Sequence, residues 1–149
     1  MTLKQKIYKH YLQIVNEKVN LLQQVLDDLK TSGSNETKST AGDKHETALA
    51  MLQIEQANIR RQLQEALLQQ ALFQKINPAA TSVTVIKGSV IKTNRGYLYM
   101  SIALSKVVID KQEVIALSPQ SPLGIKLMGL TAGDAVEING NRFIIEKIL

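Results

Sequence analysis

Seven residues in the first thirty, Tyr8, Leu12, Val15, Val19, Leu22, Leu26 and Leu29, recur in alternating steps of four and three. Only an α-helix lines such positions up as one stripe, and a stripe that narrow needs a second helix against it. The spacing predicts a helix over residues 2–30. A matching seam follows in Leu49, Leu52, Ile59, Leu63, Ala66 and Phe73, with Gln56 and Gln70 as its polar members. It predicts a second helix over 44–76, ended by Pro78. Residues 31–42 between them are rich in Ser, Thr, Gly and Asn and read as a loop. So short a connection favours an antiparallel hairpin within one chain, with pairing between two chains as the rival.

Composition changes at Asn77-Pro78. Leu, Gln, Lys and Ala dominate before it, and Val, Ile, Thr and Gly after it. Such segregation of helix and strand formers predicts two folding units, 1–77 as a coiled-coil hairpin with its tip near 31–46, and 78–149 as a small sheet domain. In the second unit, 82–86 reads as a strand, 88–93 and 96–102 as a hairpin turning at Asn94-Arg95, and 111–117 and 135–138 as further strands. Asn139-Gly140-Asn141 is a tight-turn signal leading into a last strand over 142–148. Residues 121–130 read as a short helix with Ser121 as N-cap and Pro122 at its first position. The expected class is α+β, a helical hairpin followed by a compact antiparallel sheet with one helix.

Composition removes several functions. Aromatics make up only 4% of the chain and cysteine is absent, which excludes a disulfide framework and a thiolate metal site. No stretch reaches the roughly 18 apolar residues of a membrane span. Met1 to Tyr11 alternates Lys with apolar residues and lacks a signal peptide's hydrophobic block, so a cytoplasmic protein is expected. There is no nucleophile elbow and no phosphate-binding glycine loop, and the two histidines, His10 and His45, form no ligand cluster. The second unit carries eight basic residues against five acids, which suits either an acidic docking surface or solvated strand faces.

One cluster could carry chemistry: Gly42-Asp43-Lys44-His45-Glu46-Thr47-Ala48. Asp43 and Glu46 are three apart at the predicted start of a helix. They suit an N-cap and its capping box, both acids favouring the positive helix end. The capping reading is the stronger from the pattern alone, and the competing one is a pair of oxygen ligands on one helix face for a divalent cation. Mg²⁺ takes one or two protein carboxylates and completes its shell elsewhere, so such a pair would work only inside another site.

A hairpin with Gly-Asp-x-x-Glu-x-Ala at its tip resembles the N-terminal half of the Gre transcript-cleavage factors. The second unit is similar to that family's C-terminal signature in three stretches: Leu117-Ser118-Pro119-Gln120-Ser121-Pro122-Leu123-Gly124, then Leu127-Met128-Gly129-Leu130, then Ala132-Gly133-Asp134-Ala135-Val136-Glu137-Ile138. The resemblance implies an FKBP-like second domain that docks on bacterial RNA polymerase, with Ser118, Pro119, Ser121, Pro122 and Gly124 as partner-binding residues. It implies that the coiled coil enters the polymerase's secondary channel, and that Asp43 and Glu46 are tip acids sharing a catalytic Mg²⁺ only within the polymerase active centre. The chain would then be no enzyme itself, but an elongation factor promoting cleavage of backtracked RNA, in indirect contact with nascent RNA and the DNA template complex. Thr47 stands where cleavage factors usually carry Asn, and Leu49 and Met51 replace further tip residues. A channel-binding regulator without cleavage activity is therefore the alternative, and a structural coiled-coil adaptor is a third.

Overall fold

A computed structural model describes residues 1–37 and 43–149, and side chains outside 34–45. Helix α1 spans Leu3–Thr37 and α2 spans Asp43–Gln74. The strands are β1 Val90–Thr93, β2 Gly96–Met100, β3 Val107–Ile109, β4 Gln112–Leu117, β5 Ala135–Ile138 and β6 Asn141–Ile148. Helix α3, Pro122–Leu127, lies between β4 and β5. The α+β class and the order of hairpin and sheet are as the sequence predicts. The compact units are grouped differently from the 77/78 composition boundary. Residues 13–71 form one, and residues 1–12 join 72–149 in the other.

In the helical unit, Leu22, Leu26, Leu63 and Ala66 are buried together, with Val19 and Ile59 packed on them. Burying a Leu contributes about 1.5–3 kcal/mol, so these contacts outweigh any local propensity. The polar seam members fix the alignment. Gln70 Nε2 donates to Asn16 Oδ1 at 2.8 Å, and Gln56 Nε2 donates to the Leu29 carbonyl at 3.2 Å. Partners fall along α2 as they rise along α1, so the pair is antiparallel within one chain. Polar pairs at seam positions specify register at some cost in stability.

The loop expected over 31–42 is helical as far as Thr37. Tertiary packing overrides composition here. Gly33 is buried, and a Cβ there would come 3.3 Å from Gln56 Nε2. It stands four residues beyond Leu29, on the continued seam, where its missing side chain admits Gln56. Thr31 Oγ1 donates to the Asp27 carbonyl, satisfying its hydroxyl inside the helix. A glycine costs a helix about 1 kcal/mol, less than the seam returns. The remainder of that expected loop, 38–42, lies outside the described residues.

The seam also rotates near the start of α1. Ile7, Tyr11 and Val15 are buried, whereas Tyr8 and Leu12 are only half-buried. Within the sheet unit, Tyr8 stacks on Phe73 at 5.1 Å and Tyr11 on Tyr99 at 5.9 Å, and Phe73 meets Tyr99 edge-on at 6.1 Å. Lys4, 8% exposed, donates through Nζ to the carbonyls of Ala80 and Leu149.

The sheet runs β3-β4-β2-β1-β6-β5. It is mostly antiparallel, but β2 and β4 are parallel, a departure from the wholly antiparallel expectation. The reason is β3, too short for alternation to reveal. It forms a hairpin with β4 at the sheet edge, so the chain reaches the far side before β4 runs beside β2. Residues 82–86 form no strand. Thr84 makes an isolated bridge to Thr131, and Val85 exchanges backbone bonds with Gly129 and Leu130, which belong to a turn rather than a strand. The core on one sheet face comprises Val85, Ile91, Leu98, Met100, Leu117, Leu127 and Ile145.

Two expectations follow. Asp110 and Lys111 turn the β3–β4 hairpin with φ of 50° and 64°, left-handed values that cost a non-glycine residue about 1 kcal/mol or more. Lys111→Gly should therefore raise stability by about 0.5–1 kcal/mol in urea titration. The second concerns alkaline pH. Burial raises the Tyr11 hydroxyl to a pKa of about 12 and drives Tyr99 higher still, the latter helped by neighbouring Tyr8 and Tyr11. The folded state thus favours both neutral phenols. Their contribution is complete below the ordinary tyrosine pKa of 10.0 and is lost as pH climbs from there through about 12. Melting temperature should fall across that window, and Tyr11→Phe should flatten the fall.

Candidate functional site

Two places carry the residues singled out by sequence. The first is the start of α2. Asp43 is its first residue, and Glu46, three further on, is exposed in its first turn. Helix geometry sets residues i and i+3 on one face, so the pair is arranged along the helix end where the dipole favours anions. The side chains of Asp43, Lys44 and His45 lie outside the described residues, and the choice between cap and ligand falls on them. Beyond Glu46, Thr47 is exposed, Leu49 is half-buried on the seam, and Met51 is 63% exposed. Among the described residues no group of three or more His, Asp or Glu side chains could hold a metal on its own. Two carboxylate-bearing residues fit a hard cation whose remaining ligands come from elsewhere.

The second place is the turn from β4 into α3. Pro122 occupies the first helical position and fits there because its missing N–H would have no intrahelical partner. Ser121 is the N-cap, with φ −66° and ψ 157°. Its Oγ accepts from the Gly124 amide at 3.0 Å and donates to the Ser118 carbonyl at 2.7 Å. The Ser121 amide donates to that same carbonyl at 3.0 Å. Ser118 Oγ in turn accepts from the Gln120 amide at 3.1 Å. The turn is thus drawn tight over α3. A Cβ at residue 124 would lie 2.0 Å from the Ser118 oxygen, so Gly124 is required by space rather than by backbone angle.

The five residues named for partner binding therefore divide. Gly124 is buried and Ser121 is half-buried, and both hold the turn together. Ser118 and Pro119 are half-buried, while Pro122 is exposed. Sequence reasoning did not single out Ile125, which is 65% exposed on α3, or Gln120, exposed beside Pro119. An apolar side chain so exposed in a six-residue helix was legible only once the buried face, Gly124 and Leu127, was known. The strand pattern after α3 is anchored by Asp134, whose Oδ2 accepts from the Thr131 amide at 2.9 Å and closes the turn at Gly133, φ 95°.

No family model matches the sequence, and no curated protein does. Among solved structures the chain is similar to that of the transcription factor Gfh1. The likeness covers 96% of this chain and 91% of that one at 16% identity, with a TM-score of 0.33.

Gly124→Ala should destabilise the sheet unit by about 1–3 kcal/mol or more, because backbone atoms must move to admit the methyl group. Ser121→Ala should cost about 0.5–2 kcal/mol as a lost cap. Chemical denaturation of both variants checks the order. An alanine at 124 as stable as glycine would show that the turn opens freely.

Proposed function

We propose that this chain is a Gre-type regulator of bacterial RNA polymerase, docking by its sheet domain and delivering the acids at the start of α2 to the polymerase active centre through the secondary channel. One observation carries the reading. Asp43 opens α2 and Glu46 stands exposed in its first turn, so two acids three apart fall where an antiparallel hairpin passes from one long helix to the next. A coiled coil acting only as a spacer would use the two acids as caps of α2 and would not need their charge. The Ser118–Gly124 turn supports docking, because its part-buried hydrogen bonds fix the backbone that presents Pro119 and Pro122.

In this reading Asp43 and Glu46 would supply carboxylate oxygens to a Mg²⁺ ion whose other ligands belong to the polymerase. Bound there, the ion activates water and stabilises displaced oxygens in phosphodiester hydrolysis. The chain itself contributes reach, orientation and two negative charges, and is no enzyme alone. Its site of action is cytoplasmic, and its contact with nascent RNA and template DNA is indirect.

A second reading, occupation of the channel without cleavage, is favoured by Thr47 and Met51. Both are exposed next to the acids, where cleavage factors carry other residues. One pair of variants separates the readings. Asn caps as well as Asp, so Asp43→Asn keeps the cap but removes the charge. Asp43→Asn and Glu46→Gln should change stability and polymerase affinity by no more than about 0.5 kcal/mol, as ordinary surface substitutions do. Stimulated cleavage in a stalled elongation complex should disappear. If wild-type protein binds polymerase yet the variants alter no transcriptional readout, the acids are caps and the second reading holds. Failure of the wild type to co-purify with polymerase would sink both.

A further inference from the structure

The two helices of the hairpin differ on the faces they turn away from each other. On α1 the outward positions Gln13, Glu17, Asn20, Gln24, Asp27 and Thr31 follow in steps of four and three, and all are polar and exposed. On α2 the outward stripe is Ile54, Ala57, Arg61, Gln64, Leu68 and Ala71, again all exposed, but with apolar residues at both ends. Ile54 and Leu68 are each 62% exposed, and Met51 and Leu67 are exposed beside them. Among the described residues 13–71, Leu21 is the one large apolar side chain so exposed on α1.

Single apolar side chains on a surface are ordinary. Here their order is symmetric. Ile54 and Ala57 lie before Arg61 and Gln64, and Leu68 and Ala71 lie after them. Two such stripes laid antiparallel match layer by layer. Ile54 meets Ala71 of the second copy, Ala57 meets its Leu68, and Arg61 meets its Gln64, and a two-fold axis repeats each pair. Every apolar layer sets a large side chain against a small one, which lets the helices approach closely. The central layers give the Arg61 guanidinium an amide oxygen as acceptor, with Glu65 one residue beyond that Gln64 to balance its charge. Polar members matched at seam positions fix orientation and register. A parallel pair in register would instead set Arg61 against Arg61.

We propose that the outward face of α2 is a self-association surface, covered by the same face of a second copy running antiparallel. The symmetry selects this occupant. An unrelated helix has no need of a stripe symmetric about its middle, and a lipid surface favours an unbroken apolar face rather than one interrupted by Arg61 and Gln64. From Ile54 to Ala71 the helix rises only about 25 Å. A seam that short is smaller than a standard interface, so the dimer forms with micromolar affinity and exchanges with monomer.

Sedimentation of the full chain, from low micromolar to several hundred micromolar, tests this. The wild type should pass from monomer to dimer across that range. Ile54→Gln with Leu68→Gln should weaken association about tenfold or more, because each removes an apolar layer while Gln keeps a good helix former at an exposed position. Leu21→Gln should leave association unchanged. The second measurement uses the absence of cysteine from the chain. An Ala57→Cys protein mixed with a Leu68→Cys protein should couple through a short thiol-bridging reagent, and neither should couple with itself. A wild type that stays monomeric throughout, a glutamine variant that associates as tightly as the wild type, or either cysteine variant coupling with itself as readily as with the other, would each overturn the proposal.

Discussion

Tyr11 is fully buried, with its hydroxyl 2.9 Å from the Ser105 carbonyl and 3.3 Å from that of Val114, and its ring on Tyr99. A large aromatic anchored at both its ring and its polar end ties the first turns of α1 to the sheet. Val114 and Tyr99 belong to β4 and β2, the parallel pair next to the β3 edge of the sheet. Several features follow from that one placement. The buried stripe of α1 must pass through Ile7 and Tyr11 rather than Tyr8 and Leu12. Phe73 near the end of α2 closes the same aromatic cluster. Lys4, one turn before Ile7, is carried beneath the carbonyls of Ala80 and Leu149.

The two units use different chemistry to define themselves. The helical unit relies on small aliphatic contacts, corrected by polar pairs that allow one register only, Asn16 with Gln70 and Gln56 with the Leu29 carbonyl. The sheet unit relies on aromatic packing and on turns whose backbone angles or spacing admit few residues, Asp110-Lys111, Asn139-Gly140 and the Ser118–Gly124 knot. Such devices leave the surfaces free to carry charge and acids without threatening the fold. That is why Glu46, exposed in the first turn of α2, can be altered while the scaffold stays intact.

The candidate site was legible to unequal degrees. The acids of the tip motif stood out because two carboxylates three apart follow a glycine at the predicted start of a helix. The Ser118 to Gly124 motif stood out as punctuation, but punctuation alone did not say which residues face inward. Ser121 and Gly124 turned out to hold the turn, and Pro122 and Ile125 to face solvent, because the direction of a short helix depends on what it packs against.

The sequence by itself determined the elements whose signal is periodic or local. The heptads of α2 match its least exposed positions from Leu49 to Phe73. Asn139-Gly140 turns where the dipeptide demands it, and Ser121-Pro122 starts a helix where cap and proline say so. Tertiary structure decided what local signals leave undetermined. It carried α1 through a glycine to Thr37, since burial under Gln56 exceeds the cost of one glycine. It denied 82–86 a strand, since a strand needs a neighbour and only a turn was on offer. It made β2 and β4 parallel, since an edge strand of three residues redirected the chain. In each case local preference is worth about 1 kcal/mol per residue, and packing or pairing with distant residues is worth more.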